Sequence, residues 1–338
     1  MSEFSQKLHA AETRSHALRE QAQFQELAKQ IAHAQKHSPA FADILRDVNV
    51  ASVNNRQTLA QLPVTRKSEL LERQQATRQK QGGATADAVF GGFGTQDFGS
   101  GVRRVFASPG PIYEPEGTAN DYWRMARALA AAGFKAGDLI HNSFSYHFTP
   151  AGSMMETGAH ALGCTVFPAG TGQTEQQVQA MLDLQPAGYV GTPSFLKIIL
   201  EKAQEMGVAI PSLTKAMVSG EACPPSLRDW FAERGIAAYQ CYATADLGLI
   251  AYETSAREGL VVDEGVIVEI VRPGTGDPVP EGEVGELVVT SLNPDYPLIR
   301  FGTGDLSAVL PGACPTGRTN TRIKGWMGRA DQTTKIRG

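Results

Sequence analysis

Two segments that could bind a ligand follow predicted strands in this sequence. Asp305 ends IRFGTGD (299–305), where a carboxylate at a glycine turn can accept hydrogen bonds from both hydroxyl groups of a ribose. An aspartate that only forms the turn fits the same pattern. Ser219-Gly220-Glu221 lies between a predicted strand and a predicted helix, the position where open α/β sheets bind their ligands. These segments predict a ligand site, with a nucleotide as one candidate.

Motifs of several common enzyme classes are missing. Met217 stands where a G-x-S-x-G nucleophile elbow needs glycine, and the GGFG at 91–94 does not extend to G-x-G-x-x-G. The sequence contains no G-x-x-x-x-G-K-[ST] loop. His33 and His37 are four residues apart, but Ala34 replaces the glutamate of a zinc-protease helix. A solvated helix face is therefore the better interpretation of the two histidines.

Helices and strands alternate through the middle of the chain. Short apolar runs predict buried strands at 138–142, 163–167, 187–191, 214–218 and 236–241. Helices are predicted near 118–132, 150–162, 174–184, 193–206 and 224–234. Alternation of this kind is typical of a parallel sheet covered by helices. After about Tyr252, VIVEIV (266–271) and VGELVV (284–289) predict a β-rich region.

Composition restricts the class of protein. The chain has 338 residues, of which 42% are hydrophobic and 20% charged, and a net charge of -4. These values favour a globular protein and argue against nucleic-acid binding. No apolar run is long enough to span a membrane, the N-terminus is polar, and the four cysteines include no C-x-x-C pair. We therefore expect a cytoplasmic protein with reduced thiols that binds neither nucleic acid nor a membrane.

Several motifs in a fixed order carry a resemblance to a known family. They are LPVTRKSEL (62–70), FASPGPIYEP (106–115), VGTPSFL (190–196), SGEACPPSLRDW (219–230), CYATADLG (241–248), RFGTGDL (300–306) and GWMGRADQTTKIRG (325–338). The order of these motifs and the residues in them resemble those of the adenylate-forming, AMP-binding superfamily of acyl-CoA synthetases, most closely its phenylacetate–CoA ligase-like branch. The resemblance covers about residues 15–338. It implies an α/β fold with two α/β subdomains of mostly parallel sheets and a small β-barrel-like subdomain.

The resemblance also implies a domain order and a reaction. The implied segments are an N-terminal helical segment of the first α/β subdomain (1–80), a nucleotide- and acyl-binding core (81–252), a β-rich subdomain (253–324) and a hinge (325–338).

In the implied reaction, a carboxylate attacks the α-phosphate of ATP to give an acyl-adenylate and pyrophosphate, and CoA thiolate then displaces AMP. Both steps build negative charge on oxygen, so they need cations and aimed donors. An aromatic acid is the substrate that the resemblance implies.

Site residues follow from the same resemblance. Nucleotide binding is assigned to Ser108, Gly110, Gly220, Glu221, Tyr242, Asp305 and Arg329, Mg²⁺ binding to Asp246, and the hinge to Asp331. Tyr242 would stack on adenine through its flat ring, with a core tyrosine as the alternative. The acyl pocket is assigned to Tyr146, His147, Phe148, Gly191, Thr192 and Pro193. Core packing or a structural turn explains the first three equally well.

Three departures from the family pattern bear on function. Pro111, Ile112, Tyr113 and Glu114 replace the hydroxyl-rich phosphate loop and add a negative charge where pyrophosphate should lie, which argues against ATP binding in the ordinary mode. Asp246 replaces a glutamate, and Ala245 replaces a hydroxyl-bearing residue. The sequence ends at Gly338, so no residue can be assigned as the lysine of the family's C-terminal lid. We therefore expect this 338-residue chain to lack full activity.

Two functions remain in competition. The preferred one is an ATP-dependent acid–CoA ligase, because the GTGD and GRAD motifs are intact. The alternative is a non-catalytic protein that binds AMP, an acyl-adenylate or an acyl group, which the altered phosphate loop favours. ATP or AMP, Mg²⁺ and CoA are the implied ligands, and a homodimer is an alternative to a monomer. No structural zinc is predicted, because Cys314 has no second cysteine or histidine near it in the sequence.

Overall fold

The computed structural model describes residues 3–330, and the chain divides into two compact units. One unit combines the residues up to His9 with Ala119–Val261, and the other combines Ala10–Thr118 with the residues from Val262 onward. The sequence-based segments with boundaries at 80/81, 252/253 and 324/325 stay a prediction. Within residues 3–330, no helix is long and apolar enough to cross a membrane.

Helices predominate at the start of the chain, and strands become frequent after Val102. The helices are α1 (Glu3–Thr13), α2 (His16–His37), α3 (Pro39–Ile44), α4 (Arg56–Leu59), α5 (Lys67–Gln81), α6 (Ala86–Phe90), α7 (Met125–Ala131), α8 (Ala151–Leu162), α9 (Thr174–Leu184), α10 (Pro193–Glu205) and α11 (Pro225–Ala232). The strands are β1 (Thr65–Arg66), β2 (Val102–Ser108), β3 (Ile112–Gly117), β4 (Leu139–Asn142), β5 (Thr165–Pro168), β6 (Gly188–Gly191), β7 (Lys215–Val218), β8 (Ala237–Thr244), β9 (Gly248–Tyr252), β10 (Leu260–Val262), β11 (Val266–Val271), β12 (Gly285–Ser291), β13 (Phe301–Ser307), β14 (Val309–Leu310) and β15 (Arg322–Ile323).

The first unit is a parallel sheet with crossover helices. Its strands lie in the order β9-β8-β7-β6-β4-β5, with every pair from β5 to β8 parallel and β9 antiparallel to β8. Helices α8, α9, α10 and α11 connect the successive parallel strands. Strand β6 is buried along its whole length, as a strand covered on both faces must be. The predicted alternation of strands and helices is confirmed here.

One predicted helix begins later than expected. The sequence pattern places a helix at 118–132, whereas α7 begins at Met125. Asp121 and Arg124 adopt positive φ angles of 51° and 64°, which are incompatible with helix, and the Asp121 carboxylate accepts a hydrogen bond from the Ala126 amide at 3.1 Å. The alanine-rich pattern therefore marks only the last two turns of the predicted segment.

The second unit has mostly antiparallel strands. Strands β11, β12 and β13 are antiparallel, and the short β1 joins β13 in parallel. The hairpin β2–β3 and the pair β14–β15 are also antiparallel. Helix α2 buries Phe24, Leu27 and Ile31 and donates from Gln30 Nε2 to the carbonyl oxygens of Ser291 and Asn293. The α/β fold class is confirmed, with parallel pairing concentrated in the first unit.

A buried arginine fixes the start of β13. The side chain of Arg300 is almost fully enclosed, and its N–H groups donate to the Glu269 carboxylate and to the carbonyls of Ala60, Leu62 and Gly276. Burial raises the pKa of Glu269, and the Arg300 charge opposes that shift. A buried guanidinium is tolerated because each of its donors is satisfied. This anchor holds the strand that carries Asp305.

Candidate functional site

Asp305 and Arg329, both assigned to nucleotide binding from the sequence, are in direct contact. Asp305 Oδ1 accepts hydrogen bonds from Arg329 Nη1 at 3.0 Å and from Trp326 Nε1 at 3.2 Å. The backbones of Asp305 and Arg329 also form an antiparallel bridge. The Asp305 side chain is 14% exposed and the Arg329 side chain 41% exposed, so a solvent-borne ligand can approach the pair. The arrangement suits recognition of polar hydroxyl groups.

Gly304 makes this approach of Arg329 feasible. Its φ of +73° lies in the left-handed region, and a Cβ at this position would lie 2.7 Å from Arg329 Nη2. The neighbouring Thr303 hydroxyl donates to the Leu287 carbonyl at 2.9 Å and accepts from the Asp305 amide at 3.1 Å. The GTGD segment is therefore not the turn expected from the sequence but a bulged part of strand β13, and its conformation holds Asp305 against Arg329.

In the first unit, the predicted acyl segment and the predicted adenine segment meet at the start of α10. Glu221 Oε1 accepts a hydrogen bond from the Ser194 amide at 2.6 Å. Thr192 caps the helix, because its hydroxyl accepts from the Phe195 amide at 3.4 Å. A carboxylate is favourable at this end of a helix because the unpaired amides give it a partial positive charge. Glu221 thus links residues 191–193 to the loop at 219–221.

The loop that contains Gly220 is held by β8 and β6. Ser219 Oγ donates to the Cys241 carbonyl at 2.8 Å, and the Ser219 amide donates to the Gly191 carbonyl at 3.2 Å. Further along, the Cys223 amide donates to Gln240 Oε1 at 3.1 Å. Gly220 has a φ of +85°, and the nearest atom to an added Cβ would be Thr192 Cγ2 at 3.6 Å. Glycine is therefore required at 220 by backbone conformation rather than by crowding.

Tyr242 and Asp246 lie at the end of β8 and in the turn that follows. Tyr242 is half-buried and pairs with Ala251 of β9. Asp246 is buried in the β8–β9 turn, where the Leu247 amide donates to Thr244 Oγ1 at 3.2 Å. The partial exposure of Tyr242 leaves part of its ring open to a ligand, and its assignment as the adenine-stacking residue stays a prediction.

The residues assigned to the acyl pocket lie in two segments, of which the first, residues 146–148, follows β4. Tyr146 is half-buried, and its hydroxyl donates to Glu156 Oε2 at 2.8 Å and accepts from Asn142 Nδ2 at 2.7 Å. His147 is exposed, and Phe148 is 81% exposed with a positive φ of 60°. Core packing is therefore wrong for His147 and Phe148, whereas a structural turn, the other alternative interpretation, fits the positive φ of Phe148.

The other three acyl-pocket residues lie at the β6–α10 junction. Gly191 and Pro193 are buried, and Thr192 is half-buried. A Cβ at Gly191 would overlap the Tyr189 hydroxyl oxygen, which explains the glycine. The same enclosure raises the pKa of Tyr189.

The predicted phosphate loop is the tip of the β2–β3 hairpin. Ser108 pairs with Ile112, and Pro109, Gly110 and Pro111 form the exposed turn between them. The Glu114 side chain has no solvent exposure, and Ser108 Oγ donates to its Oε1 at 2.5 Å. Lys67 Nζ lies 3.5 Å from Ser108 Oγ and brings a positive charge close to the Ser108–Glu114 pair.

This hairpin corrects the interpretation of Glu114. Its carboxylate points into the protein rather than toward solvent, so it does not place an exposed negative charge at the loop. The Ser108 hydroxyl, predicted to bind nucleotide, is committed to Glu114 in this conformation. Gln74 of α5 fixes the hairpin by exchanging two hydrogen bonds with the backbone of Tyr113, each 2.9 Å long.

Metal-binding potential is limited in the part of the chain that the structure describes. No group of three or more His, Cys, Asp or Glu side chains within residues 3–330 could hold a metal ion. The prediction of no structural zinc stays a prediction, as does Mg²⁺ binding by Asp246. Asp331, the predicted hinge residue, lies outside the described residues.

Sequence reasoning missed several partners of the site residues. Trp326, Ser194, Glu156 and Lys67 contact Asp305, Glu221, Tyr146 and Ser108 respectively. Trp326 and Lys67 lie inside quoted motifs, GWMGRAD and LPVTRKSEL, so the motifs could have drawn attention to them. The contacts themselves depend on residues far apart in the chain.

Comparison with known proteins identifies the family of this chain. The sequence profile described as AMP-binding enzyme matches residues 118–293. The chain is 31% identical over 333 residues to phenylacetate-coenzyme A ligase from Thermus thermophilus and 30% identical over 333 residues to that from Aromatoleum evansii. Each match covers 94% of this chain and 71% of the relative.

A solved structure supports the same conclusion. The crystal structure of 2-hydroxyisobutyryl-CoA ligase in an open conformation, in complex with 2-HIB-AMP and CoA, matches with a TM-score of 0.85 and 25% sequence identity. The match covers 94% of this chain and 76% of that one. The chain therefore belongs to the adenylate-forming, AMP-binding enzymes and is a phenylacetate–CoA ligase-like member of that family.

Proposed function

We propose that this protein is an ATP-dependent acid–CoA ligase that activates a carboxylic acid through an acyl-adenylate. The observation that carries the proposal is the contact between Asp305 and Arg329, which holds a carboxylate beside a guanidinium at a glycine-containing bulge of β13. A carboxylate accepts hydrogen bonds from ribose hydroxyls, and a guanidinium donates to hydroxyl or phosphate oxygens. This pair is the feature that a nucleotide-using member of the family needs.

The roles proposed for the remaining nucleotide residues follow from their surroundings. Gly220 carries no side chain, so a flat base would be able to approach its backbone closely. Tyr242 would supply an aromatic face for adenine. Glu221 would keep the 219–221 loop attached to α10 rather than contact the nucleotide directly, since its carboxylate already accepts from Ser194.

An aromatic carboxylic acid is the proposed substrate. Its support is the similarity to two proteins named phenylacetate-coenzyme A ligase. Tyr146 and the Gly191-Thr192-Pro193 segment are proposed to shape the acyl site. In the reaction, the acid's carboxylate oxygen attacks the α-phosphorus and pyrophosphate leaves; the CoA sulfur then bonds to the acyl carbon and AMP leaves.

Asp246 fits the proposed Mg²⁺. Mg²⁺ in nucleotide enzymes keeps several waters and uses one or two carboxylates together with substrate phosphates, so a single buried aspartate suffices. Asp246 would hold the ion, which would neutralise charge on phosphate oxygens when bound. The aspartate's own contribution is a fixed negative charge in the β8–β9 turn.

The non-catalytic alternative is not favoured. The altered phosphate loop was its support, in part because the charge of Glu114 would repel pyrophosphate, whereas the carboxylate of Glu114 is buried and bonded to Ser108. The relatives that match over 94% of this chain carry the names of enzymes.

The proposal is tested by acid-dependent exchange of labelled pyrophosphate into ATP, measured with the purified protein. We expect exchange with phenylacetate or benzoate, none without acid, and at least tenfold less exchange in Asp305→Asn, since a hydrogen bond to a charged group is worth about 1.5–3 kcal/mol. Binding of AMP and of a stable acyl-adenylate analogue with no exchange for any acid would instead establish the binding-protein alternative.

A further inference from the structure

Trp326 has an unusual position next to the nucleotide carboxylate. Its side chain is 58% exposed, yet its Nε1 donates to Asp305 Oδ1 at 3.2 Å. The remaining tryptophans, Trp123 and Trp230, lie in the other unit, where Trp123 is buried and Trp230 packs against Arg234. Trp326 has no assigned role in the site described above.

The backbone around Trp326 is held firmly. Residues 324–329 run antiparallel to the end of β13: the Lys324 amide donates to the Ala308 carbonyl, and the Met327 amide to the Leu306 carbonyl, each at 2.9 Å. Ser307 Oγ donates to the Gly325 carbonyl at 2.7 Å. This pairing fixes the side of the strand on which the indole lies, so its contact with Asp305 is set by the fold.

Two donors converge on one oxygen of the carboxylate. Arg329 Nη1 and Trp326 Nε1 both bind Asp305 Oδ1. The terminal torsion of an aspartate is broad, so a carboxylate held by one partner can still rotate. Two donors from different directions restrict that rotation, and a preoriented acceptor binds a hydroxyl group with less loss of entropy.

We propose that Trp326 is a positioning residue for ribose recognition: its indole N–H, together with Arg329, holds the Asp305 carboxylate in the orientation that accepts ribose hydroxyls. The proposal rests on the nucleotide site of the proposed function. A ligand hydroxyl bound to Asp305 would also lie close to the exposed indole, because the ring nitrogen is within hydrogen-bonding distance of the same carboxylate.

The test separates the indole N–H from the ring. Trp326→Phe removes the donor and keeps an aromatic ring at an exposed position, where substitution leaves stability nearly unchanged. Calorimetry of the 338-residue chain is expected to show AMP binding weakened about tenfold or more, as loss of one hydrogen bond to a charged group implies. The affinity for 2′,3′-dideoxy-AMP, which has no ribose hydroxyls, should be the same in both proteins.

Fluorescence supplies a second readout. AMP binding should shift the tryptophan emission of the wild-type protein, and Trp326→Phe should abolish that shift. Met327→Leu, an exposed substitution one residue away, is the matched control and should behave as the wild type.

Each outcome is decisive. Equal losses of affinity for AMP and for 2′,3′-dideoxy-AMP would show a general structural effect and overturn the role in ribose recognition, as would unchanged or tighter AMP binding by Trp326→Phe. Absence of AMP binding by the wild-type protein would overturn the nucleotide site, and the role of Trp326 with it.

Discussion

At the scale of single residues, Gly304 is the position where one added carbon should disturb the site most directly. We expect Gly304→Ala to weaken AMP binding about tenfold or more, because its Cβ would lie 2.7 Å from Arg329 Nη2 and displace that side chain from Asp305. Calorimetric titration with AMP measures the effect.

The matched control is Gly312→Ala in the same unit. Gly312 also has a positive φ, of +91°, but its added Cβ would meet only Arg322 Nη2 at 3.8 Å. Both variants should lose about 1 kcal/mol of stability from backbone strain, whereas only Gly304→Ala should lose affinity. Equal effects of the two variants on AMP binding would contradict the assignment.

His141 gives the protein a residue-level sensitivity to acid. It is buried beside Gln177, and burial lowers its pKa while the hydrogen bond to Gln177 partly opposes the shift. Because the folded-state pKa is below that of the unfolded chain, the unfolded state binds more protons as the pH falls below about 6.5. The free energy of unfolding should therefore fall on acidification.

Titration of His141 can change the free energy of unfolding by up to about 1.4 kcal/mol per pH unit. Urea unfolding at pH 7.0 and pH 5.5 measures it, with His141→Gln as the comparison. The variant should be less stable at pH 7 and should lose less stability on acidification. An unchanged pH slope in His141→Gln would exclude His141 as the cause.

At the scale of elements, the crossing of α7 and α8 depends on Gly158. A Cβ there would lie 2.6 Å from Met125 Cβ and 2.8 Å from the Ala126 backbone nitrogen. Overpacking costs about 1–3 kcal/mol, and the better helix propensity of alanine offsets roughly 1 kcal/mol. Because the clashing atoms include backbone atoms, which cannot rotate away, the cost should lie in the upper part of that range, and we expect Gly158→Ala to destabilise the protein by about 1–2 kcal/mol, measured by chemical denaturation.

The control for that variant lies on the same helix. His160 is exposed, so His160→Ala should change stability by no more than about 0.5 kcal/mol. If Gly158→Ala proves as stable as the wild type, α8 does not pack on α7 as closely as the structure indicates.

Sequence patterns predict helices and strands best where the burial of successive residues follows a regular pattern along the element. Strands β4 to β8 and helices α8 to α11 match the predicted segments closely, because buried runs and amphipathic runs are local signals. The sequence predicts a loop where the β2–β3 hairpin lies, since its tip is rich in proline and glycine and its pairing depends on contacts across the turn. The predicted start of α7 is also wrong, because amino-acid composition does not reveal that Asp121 and Arg124 adopt positive φ angles.

At the scale of the whole molecule, the cysteines report on the integrity of the fold. Cys164, Cys223, Cys241 and Cys314 are all buried. Burial raises the pKa of Cys241 to about 12 and that of Cys164 to about 11, so both stay protonated and unreactive at pH 8. A thiol reagent at pH 8 should modify fewer than one cysteine per chain within minutes and all four after denaturation.

Rapid modification of one or more thiols in the native protein would contradict this burial. A variant that loses AMP binding can be checked by the same assay, because unchanged thiol protection shows that its fold is intact.

Only part of the candidate site can be predicted from the sequence. The resemblance assigns Asp305 and Arg329 to one function, because a motif records which residues occur. The structure brings the two residues together through an antiparallel bridge between β13 and the segment that contains Arg329. The resemblance does not show that the Glu114 carboxylate points into the protein, because that orientation depends on pairing in the β2–β3 hairpin. It also does not show the contact of Trp326 with Asp305. Side-chain directions of this kind are set by packing between distant segments.

The central claim is that Asp305 belongs to a nucleotide site that accepts ATP. The most direct measurement is calorimetric titration of the 338-residue chain with AMP and then with Mg·ATP, repeated on Asp305→Ala. We predict that both nucleotides bind to the wild-type protein and that the variant binds each at least tenfold more weakly, because it loses charged hydrogen bonds to the ribose. Binding of neither nucleotide to the wild-type protein, or equal binding to Asp305→Ala, would contradict the account.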